Sequence, residues 1–348
     1  MKRKLLFMML CIVGALSMSA QITSGGKYYL QNVSTGKYWG AGDDTGWGTR
    51  AMLVDHPQYV TLISNDDGTY KMESQVSNGG TAYYFNGDYM DNGSPVSLTF
   101  TASGEYFTIA NGNTYYGAGG SSSAINENTV DASSNSALWK VYSEAEMTAT
   151  LNAASVDNPV DATFLFLDPG FGRNNRNFNA WTFSANNLNI GRQGTDKNNN
   201  YGCGESWHSN FSLVQTQTVP DGTYKIESRA FYRQDGSDND HLPVISVNDE
   251  SVTFPKISGA ENSMQAAQQA FQAGSYAIKP IYVSVTDGSM TLSLTLENNT
   301  TLWCIWDGFD ITYYGDVDIA EVVMANYVNP YRQALSAAQS YQNVDMFD

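Results

Sequence analysis

Between residues 22 and 143 a pattern of aromatic strands recurs three times, and no other feature of the chain restricts its fold as strongly. Each copy opens on an aromatic run: Tyr28-Tyr29-Leu30, Tyr70-Lys71-Met72 and Tyr106-Phe107-Thr108, spaced by 42 and 36 residues. Each then turns through Gly, Ser or Asn into a second run, Lys37-Tyr38-Trp39-Gly40, Ala82-Tyr83-Tyr84-Phe85 and Thr114-Tyr115-Tyr116-Gly117. Each closes on an alternating strand: Tyr59-Val60-Thr61-Leu62, Val96-Ser97-Leu98-Thr99-Phe100 and Leu138-Trp139-Lys140-Val141-Tyr142. A unit of about 40 residues made of short strands cannot bury an apolar face alone, so three copies must share one core.

Three such units around one core describe a β-trefoil, and the segment resembles the ricin-type lectin trefoils. It departs from their Gln-x-Trp signature: the first copy has Gln58-Tyr59-Val60, and only the third carries a Trp at the matching place, Trp139. The resemblance implies sugar binding on loops. Trp39 and Trp47 flank a Gly-rich turn that carries Asp43 and Asp44, which makes Trp39, Asp43 and Trp47 candidate sugar contacts.

A second strand-rich segment covers residues 158–315. Val283 and Val285 alternate with Ser284, and Leu292, Leu294 and Leu296 alternate with Ser and Thr, as in half-buried strands. Asp221-Gly222, Asp249 and Asp287-Gly288 supply turns. Many short strands over this length predict a two-sheet sandwich. Phe164-Leu165-Phe166-Leu167-Asp168-Pro169-Gly170-Phe171 with Asn179-Ala180-Trp181 resembles the opening of galactose-binding-like jelly rolls. Glu205-Ser206-Trp207, Phe211 to Thr216, Pro220-Asp221-Gly222-Thr223-Tyr224 and Trp306-Asp307-Gly308-Phe309-Asp310-Ile311 resemble later strands of that family in the same order.

Flanking segments differ in character. Residues 1–20 read as a secretory signal, with a basic start, an apolar run from Leu5 to Leu16 and then Ser17-Met18-Ser19-Ala20. That run is too short to span a bilayer, and no later run is longer. Residues 144–157 read as a linker. From 316 to 348, Ile319, Val322, Val323 and Tyr327 fall at helical spacing, and Tyr331, Leu335, Ala338 and Tyr341 do so after an Asn329-Pro330 break. This helical tail either packs on the jelly roll or opens a further domain. The expected class is therefore all-β: a trefoil, a jelly-roll sandwich and a short helical tail.

Charge narrows the partners. Eighteen Lys and Arg face 35 Asp and Glu, for a net charge of −17, or −20 once Lys2, Arg3 and Lys4 leave with the signal. Nucleic acid and anionic membrane surfaces, which are bound through Lys and Arg, are poor candidates. Strongly anionic glycans should be repelled as well, unless Arg233 and neighbouring arginines build a local basic site. Nothing in the sequence fixes the oligomeric state.

Motifs for chemistry are thin. Three histidines form no His-Glu-x-x-His pair or zinc spacing. Gly204-Glu205-Ser206-Trp207-His208 lacks the closing Gly of a nucleophile elbow. Glycoside cleavage needs two carboxylates across a cleft, and 35 acidic residues make some pair inevitable, so their number decides nothing. Aromatics near strand ends are the better signal, because sugar C–H faces stack on rings while hydroxyls seek polar partners. In the second segment these are Trp207, His208, Tyr232 and Arg233, with Trp303 nearby. Tyr28, Tyr29, Trp139, Trp181 and Trp306 read as core. Asp235, Asp238 and Asp240 offer oxygens for a calcium ion, or simply form a polar hairpin tip; the jelly-roll resemblance loosely implies a structural calcium. No cofactor is required. Loss of Cys11 with the signal leaves Cys203 and Cys304, either one disulfide or two buried thiols.

The resulting expectation is an exported, non-catalytic carbohydrate-binding protein. Two other readings stay open: accessory modules of a glycoside hydrolase that continues past residue 348, and a structural or adhesive surface protein with no sugar site.

Overall fold

A computed structural model describes residues 22–42, 49–75, 77, 80–119, 123–125, 130–171, 180–185, 188–190 and 203–342. Residues 1–20, read above as a secretory signal, and Asp43, Asp44, Trp47 and Asn179 lie outside the described residues. The chain is all-β with a helical C-terminal stretch.

The first repeat contributes β1 (Gly26–Asn32), β2 (Tyr38–Gly42), β3 (Arg50–Val54) and β4 (Tyr59–Ser64). The second contributes β5 (Tyr70–Ser74), β6 (Tyr84–Phe85), β7 (Met90–Asp91) and β8 (Thr99–Ser103). The third contributes β9 (Tyr106–Asn111), β10 (Thr114–Tyr116) and β11 (Leu138–Ser143). All eleven join one antiparallel sheet, and β1 pairs with β11, with Tyr29 opposite Tyr142, so the last copy returns to the first. The shared core that the repeat demands is present. Trp39 of the first copy meets Phe85 of the second at 5.0 Å, and Tyr116 and Trp139 of the third at 5.8 and 5.3 Å.

After β11 the chain forms α1 (Glu144–Thr150), closed at its start by a capping box between Ser143 and Glu146. Met147 and Leu151 from this stretch are buried, so the segment read as a linker seals an apolar contact. Tyr29 packs edge-on against Phe164 at 5.6 Å across the same junction.

The sandwich follows as β12 (Val160–Asp161), β13 (Thr182–Ala185), β14 (Leu188–Ile190), β15 (Gly204–Trp207), β16 (Phe211–Thr218), β17 (Gly222–Gln234), β18 (Val244–Val247), β19 (Glu250–Thr253), β20 (Ile281–Val285), β21 (Ser289–Leu296) and β22 (Leu302–Tyr313). One sheet runs β14-β15-β22-β17-β20, with β12 added on β22; the other runs β13-β16-β21-β18-β19. The predicted alternation in β21 holds: Met290, Leu292, Leu294 and Leu296 are buried between the sheets. Trp181 and Trp306 lie in the same interior, stacked on Phe171 and Phe211 respectively.

Two local features set up the outer face of the first sheet. Gly308 is an extra residue in β22, at φ 38°, between partners Asp307–Arg229 and Phe309–Ser228; this bulge suits glycine because the left-handed region costs it little. Beyond the sheet, α2 (Met264–Gln272) covers a second apolar cluster containing Phe231, Trp303 and Ile305. The chain ends in α3 (Ile319–Val323), a π-helical turn over Met324–Val328, and α4 (Asn329–Gln342). The break expected at Asn329-Pro330 takes this form because Pro330 brings no N–H to the preceding turn, which widens so that Asn329 N–H donates to Met324 O. Val322 anchors the stretch, whereas Tyr331 and Leu335 stand exposed. Among the described residues no helix is long and apolar enough to cross a membrane.

Candidate functional site

The side chains that gather on the outer face of the first sheet come from β15, β17 and β22. Strand alternation places Glu205 and Trp207 on one face of β15. Across the ladder Trp207 opposes Trp303, and Trp303 opposes Arg233. Gly204 makes the start of β15 possible: a Cβ there would sit 2.4 Å from the Trp306 indole, which lies flat against that backbone from the interior side.

Trp303 is buried beneath this cluster, and its Nε1 donates to Glu205 Oε2 at 2.8 Å. The Arg233 guanidinium lies over it, with Cζ 4.4 Å from the ring centroid, and also 5.5 Å from the Trp207 ring. Arg233 Nε and Nη2 donate to Asp235 Oδ1 and Oδ2 at 2.6 and 3.0 Å, and Nη1 donates to Glu261 O at 3.2 Å. The paired guanidinium holds the Asp235 carboxyl below the usual carboxylate range. His208 joins the same group through Nε2, 3.1 Å from Asp235 Oδ2.

His208 also stacks on Trp207, with centroids 4.3 Å apart and planes at 20°. Its backbone sits at φ 47°, a region that non-glycine residues enter at a cost. The buried Asn299 holds that conformation: its side chain donates to Ser209 O and Leu302 O and accepts from the Leu302 N–H, while His208 N–H donates to Leu302 O. Trp207 emerges from these contacts 43% exposed, the largest exposed aromatic in the sandwich strands described.

Beside it opens a cleft of about 390 Å³, lined by Glu205, Trp207 and Trp303 on one side and by Asn262, Ser263 and Gln265 on the other. The second wall is fixed by its own contacts. Tyr276 Oη donates to Glu261 Oε2 at 2.6 Å and accepts from Gly259 N–H at 2.8 Å, and Ser263 caps α2 by accepting from Ala266 N–H. An exposed indole beside amides, a hydroxyl and a carboxylate presents an apolar platform and hydrogen-bond partners within one opening.

Several expectations need correction. Trp39 is fully buried in the shared core of the repeats, because its strand turns it inward onto Phe85 and Trp139, so it cannot meet a ligand. Tyr232 neighbours Arg233 in sequence but points the other way, packing partly buried against the sandwich interior. The aspartates do not converge: Asp235 is engaged by Arg233 and His208, Asp238 accepts from Gln234 Nε2, and Asp240 is exposed. Among the described residues no group of three acidic, His or Cys side chains is gathered for a metal ion, so a calcium site at these three positions does not fit the geometry. Cys203 and Cys304 are free thiols, both buried, and burial pushes both up in pKa. They cannot bridge, because Cys304 faces the sandwich interior while Cys203 belongs to the cluster on the opposite face. Asp43 and Trp47 lie outside the described residues. Glu205 and Trp303 complete the cluster; the period-two alternation that links Glu205 to Trp207 was a usable signal, whereas nothing local links either to Asn262.

No family model matches this chain, and no curated protein does. Solved structures that resemble it include carbohydrate-binding modules. One is TmCBM61 in complex with β-1,4-galactotriose, at 14% identity and TM-score 0.29, covering 43% of this chain and 97% of that one. Another is the CBM36-1 domain of a multidomain xylanase from the hindgut metagenome of Trinervitermes trinervoides, at 14% identity and TM-score 0.21, covering 40% and 99%. A salivary protein from Culex quiquefasciatus of the Cysteine and Tryptophan-Rich family aligns at 18% identity and TM-score 0.28, covering 36% and 97%.

Proposed function

We propose that this chain is an exported, non-catalytic carbohydrate-binding protein, with a trefoil followed by a galactose-binding-like jelly roll, and that the jelly roll binds sugar at the Trp207 cleft. The observation that carries the reading is Trp207 itself. A large indole left 43% exposed, backed by His208 and by the Arg233–Asp235 pair, stands at the mouth of a cleft walled by amide and hydroxyl side chains. Exposed rings of this size lose contact with apolar partners unless something stacks on them, and a pyranose offers both the C–H face and the hydroxyls that such an opening complements. Affinity at a shallow site of this kind is modest, so engagement of one polymer by both halves of the chain would raise it.

A glycan array probed with the chain and with Trp207→Ala tests this directly. Binding to a neutral glycan that the variant loses is the expected result. Equal binding by both proteins moves the site elsewhere, and silence of the native chain on every glycan favours a structural or adhesive role.

A further inference from the structure

We infer that Asn262 is the selecting residue of the Trp207 cleft, and that the sugar it selects carries an acetamido group where a plain hexose carries a ring hydroxyl. The inference rests on the carbohydrate-binding reading and adds to it a specificity-determining residue and a class of ligand.

Most polar side chains of the cleft are already committed inside the protein. Ser263 Oγ accepts from Ala266 N–H to cap α2. Glu205 accepts from Trp303 Nε1 and, like Gln265, has a further contact within the protein. Asn262 differs: it lines the cleft exposed to solvent, and its side-chain amide has no hydrogen-bond partner among the described residues. Its place is nevertheless fixed. Before it, Glu261 is held twice, its carbonyl by Arg233 Nη1 at 3.2 Å and its carboxylate by Tyr276 Oη at 2.6 Å. After it, Ser263 opens α2. The same Arg233 guanidinium lies 4.4 Å over Trp303 and 5.5 Å from the Trp207 ring, so one cation ties the wall that carries Asn262 to the wall that carries the indoles. An unengaged amide held at a set distance from an aromatic platform loses little freedom when a ligand binds.

That spacing favours a ligand with reach. A pyranose stacked on Trp207 keeps each hydroxyl oxygen one bond from its ring, whereas the carbonyl oxygen and methyl of an acetamido group stand three bonds out. The longer group crosses toward the opposite wall, where Asn262 can donate to its carbonyl or accept from its N–H. Its methyl then enters a lining that includes Trp207, Met264 and Trp303, an apolar surface that a hydroxyl leaves uncovered. Hydroxyl and acetamido sugars are both uncharged, so the field of a chain at −17 does not separate them.

The test is calorimetric titration of the full chain with β-1,4-linked pentamers that carry either a hydroxyl or an acetamido group at the second ring carbon of otherwise matched sugars, in gluco and galacto series. The native protein should favour the acetamido form by roughly tenfold in at least one series, the worth of one added hydrogen bond and one covered methyl group. Asn262→Ala should cut that preference to about threefold or less, the share left to the methyl. The variant should melt with the native protein, because the amide makes no hydrogen bond within the described fold, so a lost preference is not a loss of folding. Added salt should leave the native preference unchanged, which separates an amide contact from a charge effect. A hydroxyl form that binds as well as the acetamido form in both series overturns the inference and leaves the carbohydrate reading standing. A preference undiminished by Asn262→Ala overturns it too, since another residue would then do the selecting. Silence of every pentamer in both series counts against the carbohydrate reading itself and removes this inference with it.

Discussion

Arg233 and Trp207 have opposite tasks although their side chains touch. Arg233 is committed inside the protein, so its removal should register as lost stability. Arg233→Ala leaves the Asp235 carboxylate without its bidentate partner and uncovers the Trp303 face; a loss of about 1–3 kcal/mol in urea unfolding is expected. Arg233→Lys should recover little of it, because a point-like ammonium cannot make two parallel bonds to Asp235. Trp207, in contrast, is more than two-fifths exposed and should contribute little to folding. Trp207→Ala should leave the unfolding midpoint nearly unchanged and weaken glycan binding by roughly tenfold in calorimetry, the worth of a lost stacking contact. A large shift in midpoint with unaltered binding would reverse the roles assigned here.

At the scale of elements, strand alternation decides which neighbours cooperate. In β15 it sets Glu205 and Trp207 on the cleft face; in β17 it sends Arg233 outward and Tyr232 inward. The same rule separates the cysteines, so reductant should not change the melting temperature, and both thiols should resist a thiol reagent until the protein unfolds. The close approach of Trp306 to Gly204 makes β15 sensitive to one methyl group. Gly204→Ala would drive a Cβ into the indole at 2.4 Å, and a destabilisation of about 1–3 kcal/mol is expected, accompanied by loss of glycan binding as β15 shifts. The repeats and the β21 alternation were legible beforehand because period-two burial is written in consecutive residues. The π-helical turn and the burial of Met147 and Leu151 were not, since each answers to a surface brought up from elsewhere in the chain.

At the scale of the molecule, the two halves meet through an ionic contact as well as an apolar one. His56, in the turn between β3 and β4, places Nδ1 3.2 Å from Asp161 and Nε2 3.3 Å from Asp310, while Arg229 approaches Asp310 at 3.8 Å. Hydrogen bonds donated to Asp161 and then to Asp310 push His56 up from 6.5 to about 10, against the opposing effect of burial. Because the folded value is the higher one, this contact contributes fully below about pH 6.5 and is lost as pH rises toward about 10. His56 holds Asp310 below the ordinary range; for Asp161 burial is the largest single effect and pushes upward, but His56 and the hydrogen bonds from Thr163 together outweigh it and leave that carboxyl low as well; those contributions are present above the unfolded carboxylate value and are lost as pH falls through the depressed ones. The side chains are nearly half exposed, so the contact is worth about 1 kcal/mol or less. The melting temperature of the native chain should therefore fall relative to His56→Gln between pH 7 and pH 10, and a constant difference across that range would remove His56 from the junction's energetics.

Consecutive residues alone determined the class of this protein: a threefold aromatic repeat that cannot bury itself singly, strands that alternate, and an acidic surface unsuited to phosphate. They also pointed to Trp207, His208 and Arg233, which lie at the ends of β15 and β17, the two strands that flank β22. What they could not decide is which of those groups face a ligand. Whether Arg233 is spent on Asp235, whether Trp39 looks inward, and whether Asn262 stands across from Glu205 all depend on segments far apart in sequence that meet only when the sheet and α2 close on each other. Burial and hydrogen-bond partnership are properties of that meeting, and no local pattern contains them.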